Sequence, residues 1–311
     1  MKEMVDAICS EIRMRADYLD EELETIYFGG GTPSLLEQAD LDQILNSVYK
    51  HFEVNEAPEI TLEANPDDLS SEKLKQLRES LVNRLSIGIQ SFHEEELRWM
   101  NRAHNAKESL RCIDEARGFG FENLSMDLIY GLPHSSHQLW NENLERLVDL
   151  KVPHVSMYAL TVEPNTALGR WVEKGREVEP KDEYVTKQFD MGMEALSAAG
   201  YEHYEISNYC LPGSIAIHNS NYWKSRPYLG VGPSAHSFNG RKRAMNVANN
   251  ALYMTGLQLG QLNFEEEIID GITRYNEYVM TRLRTKWGID RGELGKFQEF
   301  FDKEVGSLLE K

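Results

Sequence analysis

What most constrains the fold of this chain is a recurring order: a short β-rich run, then a segment with apolar residues at helical spacing. Residues 24–28, 59–63, 84–90, 123–130, 155–160 and 201–206 carry the β-branched and aromatic side chains of strands. After the first run, Leu41, Ile44, Leu45, Val48 and Phe52 recur along one helix face. After the second, Ser70 and Ser71 can cap a helix bearing Leu74, Leu77 and Leu81. A helix around Leu110 and Ile113 is expected to stop at Gly118, and one bearing Val185, Phe189, Leu196 and Ala199 at Gly200. Strands that alternate with helices call for a parallel sheet. The expected class is α/β. Six such units suggest a full or partial (β/α)6 barrel, and an open doubly wound sheet is the alternative.

The chain opens with a helical pattern over 3–18 instead of a strand, so a first strand and its loop are missing from the expected barrel. From about Asn246 the alternation stops and helices dominate. The expected organisation is an incomplete barrel with its following segment over 1–245, and a truncated, mostly helical element over 246–311. With 311 residues, 41% of them hydrophobic, the chain can bury a large core. It has no apolar run of membrane-spanning length, and its start is too polar for a signal peptide, so a cytoplasmic location is expected. A net charge of −18 repels phosphate backbones and argues against nucleic acid as a partner. Cys9, Cys112 and Cys210 are too scattered for a disulfide framework or a metal-ligand motif and read as structural thiols.

In parallel α/β folds, ligands collect where strands end and loops leave the sheet. The first run ends in Gly29-Gly30-Gly31-Thr32-Pro33, the second in Glu63-Ala64-Asn65-Pro66-Asp67, and the third in Gly88-Ile89-Gln90-Ser91-Phe92. The fourth carries Asp127 and ends in Tyr130-Gly131-Leu132-Pro133; the fifth ends in Tyr158-Ala159-Leu160-Thr161. Small and polar residues at five successive strand ends predict one ligand-binding mouth. The glycines either admit a ligand to the backbone or only permit a tight turn. Their spacing is not that of a dinucleotide or triphosphate loop. Carboxylates and an amide such as Glu63, Asp127 and Gln90 suit ribose hydroxyls and an ammonium group, and the planar fork of Arg102 suits a carboxylate. Together they describe a site for a zwitterionic amino-acid nucleoside.

Five segments in order carry a family likeness: Tyr27-Phe28-Gly29-Gly30-Gly31-Thr32-Pro33-Ser34, Glu63-Ala64-Asn65-Pro66, Ser86-Ile87-Gly88-Ile89-Gln90-Ser91-Phe92, Asp127-Leu128-Ile129-Tyr130-Gly131-Leu132-Pro133 and Tyr204-Glu205-Ile206-Ser207-Asn208. With them the chain resembles the radical S-adenosylmethionine (SAM) proteins of the oxygen-independent coproporphyrinogen oxidase and haem-chaperone branch. The resemblance implies a partial (β/α)6 barrel with SAM across its top. It places Gly30, Gly31 and Thr32 at the methionine ammonium group with help from Glu63, and Arg102 on the methionine carboxylate. It places Gln90 and Asp127 on the ribose and Ala159 beside the adenine. The family also holds a [4Fe-4S] cluster through three cysteines spaced C-x3-C-x2-C on the loop after its first strand. That loop is not in this sequence. The chain as given is therefore not expected to ligate the cluster or cleave SAM. It is either a fragment of a longer protein or a cluster-free paralogue; the missing strand and abrupt end favour the fragment.

His218-Asn219-Ser220-Asn221-Tyr222-Trp223, followed by Tyr228-Leu229-Gly230-Val231-Gly232-Pro233-Ser234-Ala235-His236-Ser237, is similar to the signature of the HemW-type haem chaperones. His218 offers an axial imidazole to iron, and Tyr222 and Trp223 offer aromatic faces to a porphyrin. The plainer reading is a satisfied loop histidine beside core aromatics. The resemblance implies a protein that binds SAM and haem or porphyrin and passes haem to a client protein, soluble or membrane-associated. The alternative it leaves is oxidative decarboxylation of coproporphyrinogen III.

Overall fold

The computed structural model describes residues 1–309. Helix α1 (Lys2–Met14) is followed by β1 (Leu23–Phe28), α2 (Gln38–His51), β2 (Val54–Ala64), α3 (Ser71–Glu79) and β3 (Arg84–Gln90). Then come α4 (Glu94–Trp99), α5 (Ala106–Gly118), β4 (Asn123–Tyr130), α6 (His137–Leu150) and β5 (His154–Ala159). Helices α7 (Ala167–Glu173) and α8 (Asp182–Ala198) lead to β6 (Glu202–Glu205), β7 (Asn208–Cys210) and α9 (Ile217–Trp223). The remainder is β8 (His236–Phe238), β9 (Lys242–Asn246), α10 (Asn250–Gln258), β10 (Phe264–Ile268), α11 (Gly271–Arg282) and α12 (Gln298–Leu309). These elements divide between two compact units. One comprises Leu23–Asp42 and Asn55–His218; the other comprises Met1–Glu22, Gln43–Val54 and the chain from Asn219 on.

The first unit is a curled sheet in the order β1-β2-β3-β4-β5-β7-β6, parallel from β2 through β5, which forms a partial barrel. Caps start its helices as the residue types dictate. The Ser70 hydroxyl accepts from the Lys73 N–H, and Asn105 forms a capping box with Glu108. The sixth run does not continue the parallel order. The chain turns back over Ile206 and Ser207, where the Glu205 carboxylate accepts from the Ser207 N–H at 3.2 Å and from the Asn208 amide. That tight hairpin puts β7, antiparallel to both neighbours, between β5 and β6.

Strand alternation sorts this sheet into two opposite faces. Ile60, Leu62, Leu85, Ile87, Leu124, Met126, Leu128, Val155 and Met157 are buried on one side. Glu59, Thr61, Arg84, Ser86, Ser125, His154 and Ser156 are buried on the other. Register keeps the polar set aligned: Thr61 opposes Arg84, Ser86 opposes Ser125, Ser125 opposes His154, and Asp127 opposes Ser156. Branched aliphatics usually fill barrel interiors. A hydroxyl-rich and ionic face is costly to bury unless its groups are paired. Here His154 bridges the Ser125 hydroxyl at 2.7 Å and the Tyr204 hydroxyl at 2.8 Å, while Arg84 lies 3.9 Å from Glu59.

In the second unit, α1 packs its Ala7 against Tyr253 and Leu257 of α10. Glu11, fully buried, accepts from the Gly232 N–H at 3.0 Å, the Asn246 amide at 2.8 Å and the Tyr253 hydroxyl at 2.6 Å. Helices dominate after Asn246, as expected, but β8, β9 and β10 form a small antiparallel sheet that local patterning does not reveal. Strand β10 reads Phe-Glu-Glu-Glu-Ile and is exposed along its length, so it shows no apolar alternation. A groove of about 660 Å³ runs among α1, the second half of α2 and α10; none of the expected ligand-binding residues lines it. No helix among the described residues is long and apolar enough to cross a membrane.

Candidate functional site

The glycine loop follows β1 directly. Gly30 has φ of 74°, a conformation that favours glycine, and a Cβ there or at Gly31 would meet nothing within 4 Å. The loop therefore faces open space. Gly29 packs the other way: a Cβ on it would lie 2.6 Å from the Tyr27 ring and 2.9 Å from the Glu63 carboxylate. Glu63 holds the loop by accepting from the Gly30 N–H at 3.3 Å, and it accepts the Tyr27 hydroxyl at 2.7 Å. Burial and the Glu63 charge push the Tyr27 phenol far up, so it stays a donor.

The next strand ends are laced together. Asp68 accepts from the Ser34 hydroxyl at 2.7 Å and from the Asn65 amide at 3.2 Å. Asn65 in turn accepts from Arg102 Nη2 at 2.6 Å, and the same nitrogen reaches the Gly88 carbonyl at 3.4 Å. Gln90 has φ of 65° and sits opposite Leu128 after a register shift beyond Ile87. This bulge returns its amide over Gly88, where a Cβ would come within 2.7 Å of Gln90 Nε2 and 3.3 Å of Arg102 Nη2. His104, buried, is bonded through Nε2 to the Ile89 carbonyl at 3.1 Å.

Asp127 lies on the same polar face. Its Oδ1 is buried without a hydrogen-bond partner, and its carboxyl is pushed up to about 6. Desolvation is the main cause and Glu63 adds to it, against a Ser156 hydrogen bond and the charges of Arg84 and Arg102. A carboxylate oxygen in that state is an acceptor that lacks a donor. Thr32 and Ala159 stand exposed at the rim. Of the residues expected at the mouth, the structure thus links Gly30 to Glu63, sets Gln90 beside Arg102, and couples Asp127 electrically to Glu63 and Arg102.

The H-N-x-x-Y-W segment lies within α9. The His218 ring stacks on Tyr27 with centroids 4.6 Å apart, and its Nδ1 pairs with the Thr25 hydroxyl at 2.8 Å. Burial, with the Arg84 charge second, pushes the imidazole down to about 4. Tyr222 is 46% exposed and meets Tyr228 edge-on, whereas the Trp223 indole N–H is buried without a partner. Strand-end reasoning misses Tyr27, Asp68 and Ser156, and it includes Asn65 at the second strand end without giving it a role. For Tyr27 and Ser156 the available signal was their position on the polar phase of their strands.

Comparison with known proteins bears on the family and the fold. The Radical SAM superfamily model matches residues 5–147. Heme chaperone HemW of Lactococcus lactis is 33% identical over 291 residues, covering 93% of this chain and 76% of that protein. Heme chaperone HemW of Escherichia coli is 39% identical over 215 residues, covering 69% of this chain and 56% of that protein. The solved structure of coproporphyrinogen III oxidase (HemN) from Escherichia coli superposes with a TM-score of 0.83 at 22% identity, covering 98% of this chain and 74% of that one, a likeness of fold. With several relatives above 30% identity along most of its length, the chain belongs to the HemW family of the radical SAM superfamily.

Proposed function

We propose that the chain binds SAM across the carboxyl ends of β1 to β5 and acts as a haem chaperone, passing haem to a client protein in the cytoplasm. The observation that carries the SAM reading is Asp127 Oδ1, a buried acceptor without a protein donor on the polar face of β4. Ribose hydroxyls are donors of the right kind. Asp127 with a carboxyl near 6 is ionised at neutral pH and ready to accept them. Glu63 serves the ammonium group beside the open backbone of Gly30, Gly31 and Thr32, and Arg102 serves the carboxylate. Gln90 takes the ribose with Asp127, and Ala159 leaves room for adenine.

The described residues do not fit the family's iron–sulfur cluster. No group of three or more His, Cys, Asp or Glu among them could hold a metal ion. Cys112 and Cys210 are buried, and desolvation pushes the Cys112 thiol up to about 12, away from the thiolate a ligand needs. For haem, support comes from the names of the relatives and from α9, where Tyr222 offers an exposed aromatic face. The fold likeness to HemN lends coproporphyrinogen oxidation no support beyond architecture.

Calorimetry tests the SAM site. Arg102→Ala should weaken SAM binding by about 1.5–3 kcal/mol, the range for a hydrogen bond to a charged group. Arg241→Ala should match the parent, and equal titrations for the two variants would remove Arg102 from the site. Haem titration followed at the Soret band tests the second half, with His218→Ala and His236→Ala run side by side. A parent chain that leaves the Soret band of free haem unchanged would end the chaperone reading.

A further inference from the structure

Tyr27 stands between two residues that the sequence assigns to different ligands. On one side its hydroxyl donates to Glu63 Oε1 at 2.7 Å, and Glu63 Oε2 accepts the Gly30 N–H at 3.3 Å. On the other, the His218 ring lies against it at 4.6 Å and an interplanar angle of 16°. His218 is itself fixed at two further points. Thr25 pairs with its Nδ1 at 2.8 Å, and its backbone N–H donates to Glu59 Oε1 at 2.9 Å. Glu59 also accepts the Ile217 N–H at 3.1 Å and faces the buried Arg84 at 3.9 Å. The imidazole therefore cannot drift while these contacts hold.

The glycine loop has no slack on its side either. The missing Cβ of Gly29 would strike the Tyr27 ring and the Glu63 carboxylate together, so the loop rests directly on both. A tilt of the Tyr27 ring moves the hydroxyl that orients Glu63, and Glu63 is the group that grips Gly30. The imidazole is held neutral by burial, so at physiological pH it acts through shape and hydrogen bonding instead of charge.

We propose that His218 is a positioning residue for the SAM loop: its ring braces Tyr27, Tyr27 aims Glu63, and Glu63 holds the Gly30 N–H. The first residue of the H-N-x-x-Y-W segment and the glycine loop then move together. Withdrawing the imidazole by substitution loosens the loop. The functional meaning of this coupling rests on the SAM reading above; the coupling itself does not.

The test is amide hydrogen exchange at Gly30 in the full chain without ligand, with the Met126 and Leu128 amides of β4 as a record of global stability. His218→Ala should speed exchange at Gly30 by about tenfold while the β4 amides stay as in the parent, because only a local contact is opened. Tyr27→Phe, which keeps the ring and removes the hydrogen bond to Glu63, should do the same and serves if His218→Ala folds poorly. His218→Phe keeps an aromatic face against Tyr27 and should restore most of the protection. Parental exchange at Gly30 in His218→Ala or Tyr27→Phe overturns the proposal. So does equal acceleration in His218→Ala and His218→Phe, which would trace the effect to Thr25 and not to the ring. SAM calorimetry on the same variants separates the two readings. If the parent binds no SAM yet Gly30 responds as described, the positioning role stands and the SAM reading falls.

Discussion

The carboxyl of Asp127 rises to about 6 because burial removes water faster than the Ser156 hydroxyl and the charges of Arg84 and Arg102 replace it. The folded-state value lies above the ordinary 3.8, so between pH 3.8 and 6 the folded chain binds more protons than the unfolded chain. Stability then falls as pH rises through that window, and the whole penalty is present above it. Asp127 as a residue is only partly buried, so the penalty is about 1–2 kcal/mol and not the full value of the shift. Asp127→Asn should raise the unfolding free energy from urea titration at pH 8 by that amount, lose the gain near pH 4, and weaken SAM binding. A difference independent of pH would show that the charge is not the cause. Such strand-end carboxylates are legible in the sequence because polar residues there have few structural reasons to recur. The bracing of Tyr27 by His218 is not legible. It joins residues such as Thr25 and His218 that are 193 positions apart, and no local period records that distance.

At the scale of elements, the parallel strands β2 to β5 were readable from short β-rich runs, and the starts of α3 and α5 from their caps. The hairpin at β6 and β7 was not, because it depends on the Glu205 carboxylate closing a turn that contains neither glycine nor proline. Helix α5 does stop at Gly118, as that glycine predicts, although the left-handed residue of the following turn is Gly120, at φ of 86°. Glycines inside elements separate site from scaffold. In β3, the nearest atoms to a Cβ on Gly88 are the ends of the Gln90, Arg102 and Asn65 side chains, which can swing aside. Gly88→Ala should change unfolding free energy by less than about 1 kcal/mol while lowering SAM affinity about tenfold. In the loop before β8, a Cβ on Gly230 lands 2.0 Å from the His236 carbonyl oxygen, which is backbone and cannot swing. Gly230→Ala should cost about 3 kcal/mol or more in denaturant unfolding. Equal costs at the two glycines would refute the distinction.

At the scale of the molecule, the second unit draws on segments far apart in sequence, with α1 held by Gly232, Asn246 and Tyr253 through one buried carboxylate. A chain ending at residue 245 would leave Glu11 without two of those donors and Ala7 without Leu257. Losing the partners of a buried charge costs about 3–5 kcal/mol. The shortened chain should therefore bind a hydrophobic dye and lose amide protection along α1; retained protection there would make 1–245 a self-sufficient body. Tyr253→Phe alone should cost about 1.5–3 kcal/mol. The same carboxylate has a consequence for how the chain is made. Its three donors lie 221, 235 and 242 residues downstream. At about 5–20 residues per second, α1 leaves the ribosome roughly 10–50 s before its last donor is even synthesised. Throughout that interval the buried face of α1 must be kept from aggregating without the donors it will finally have.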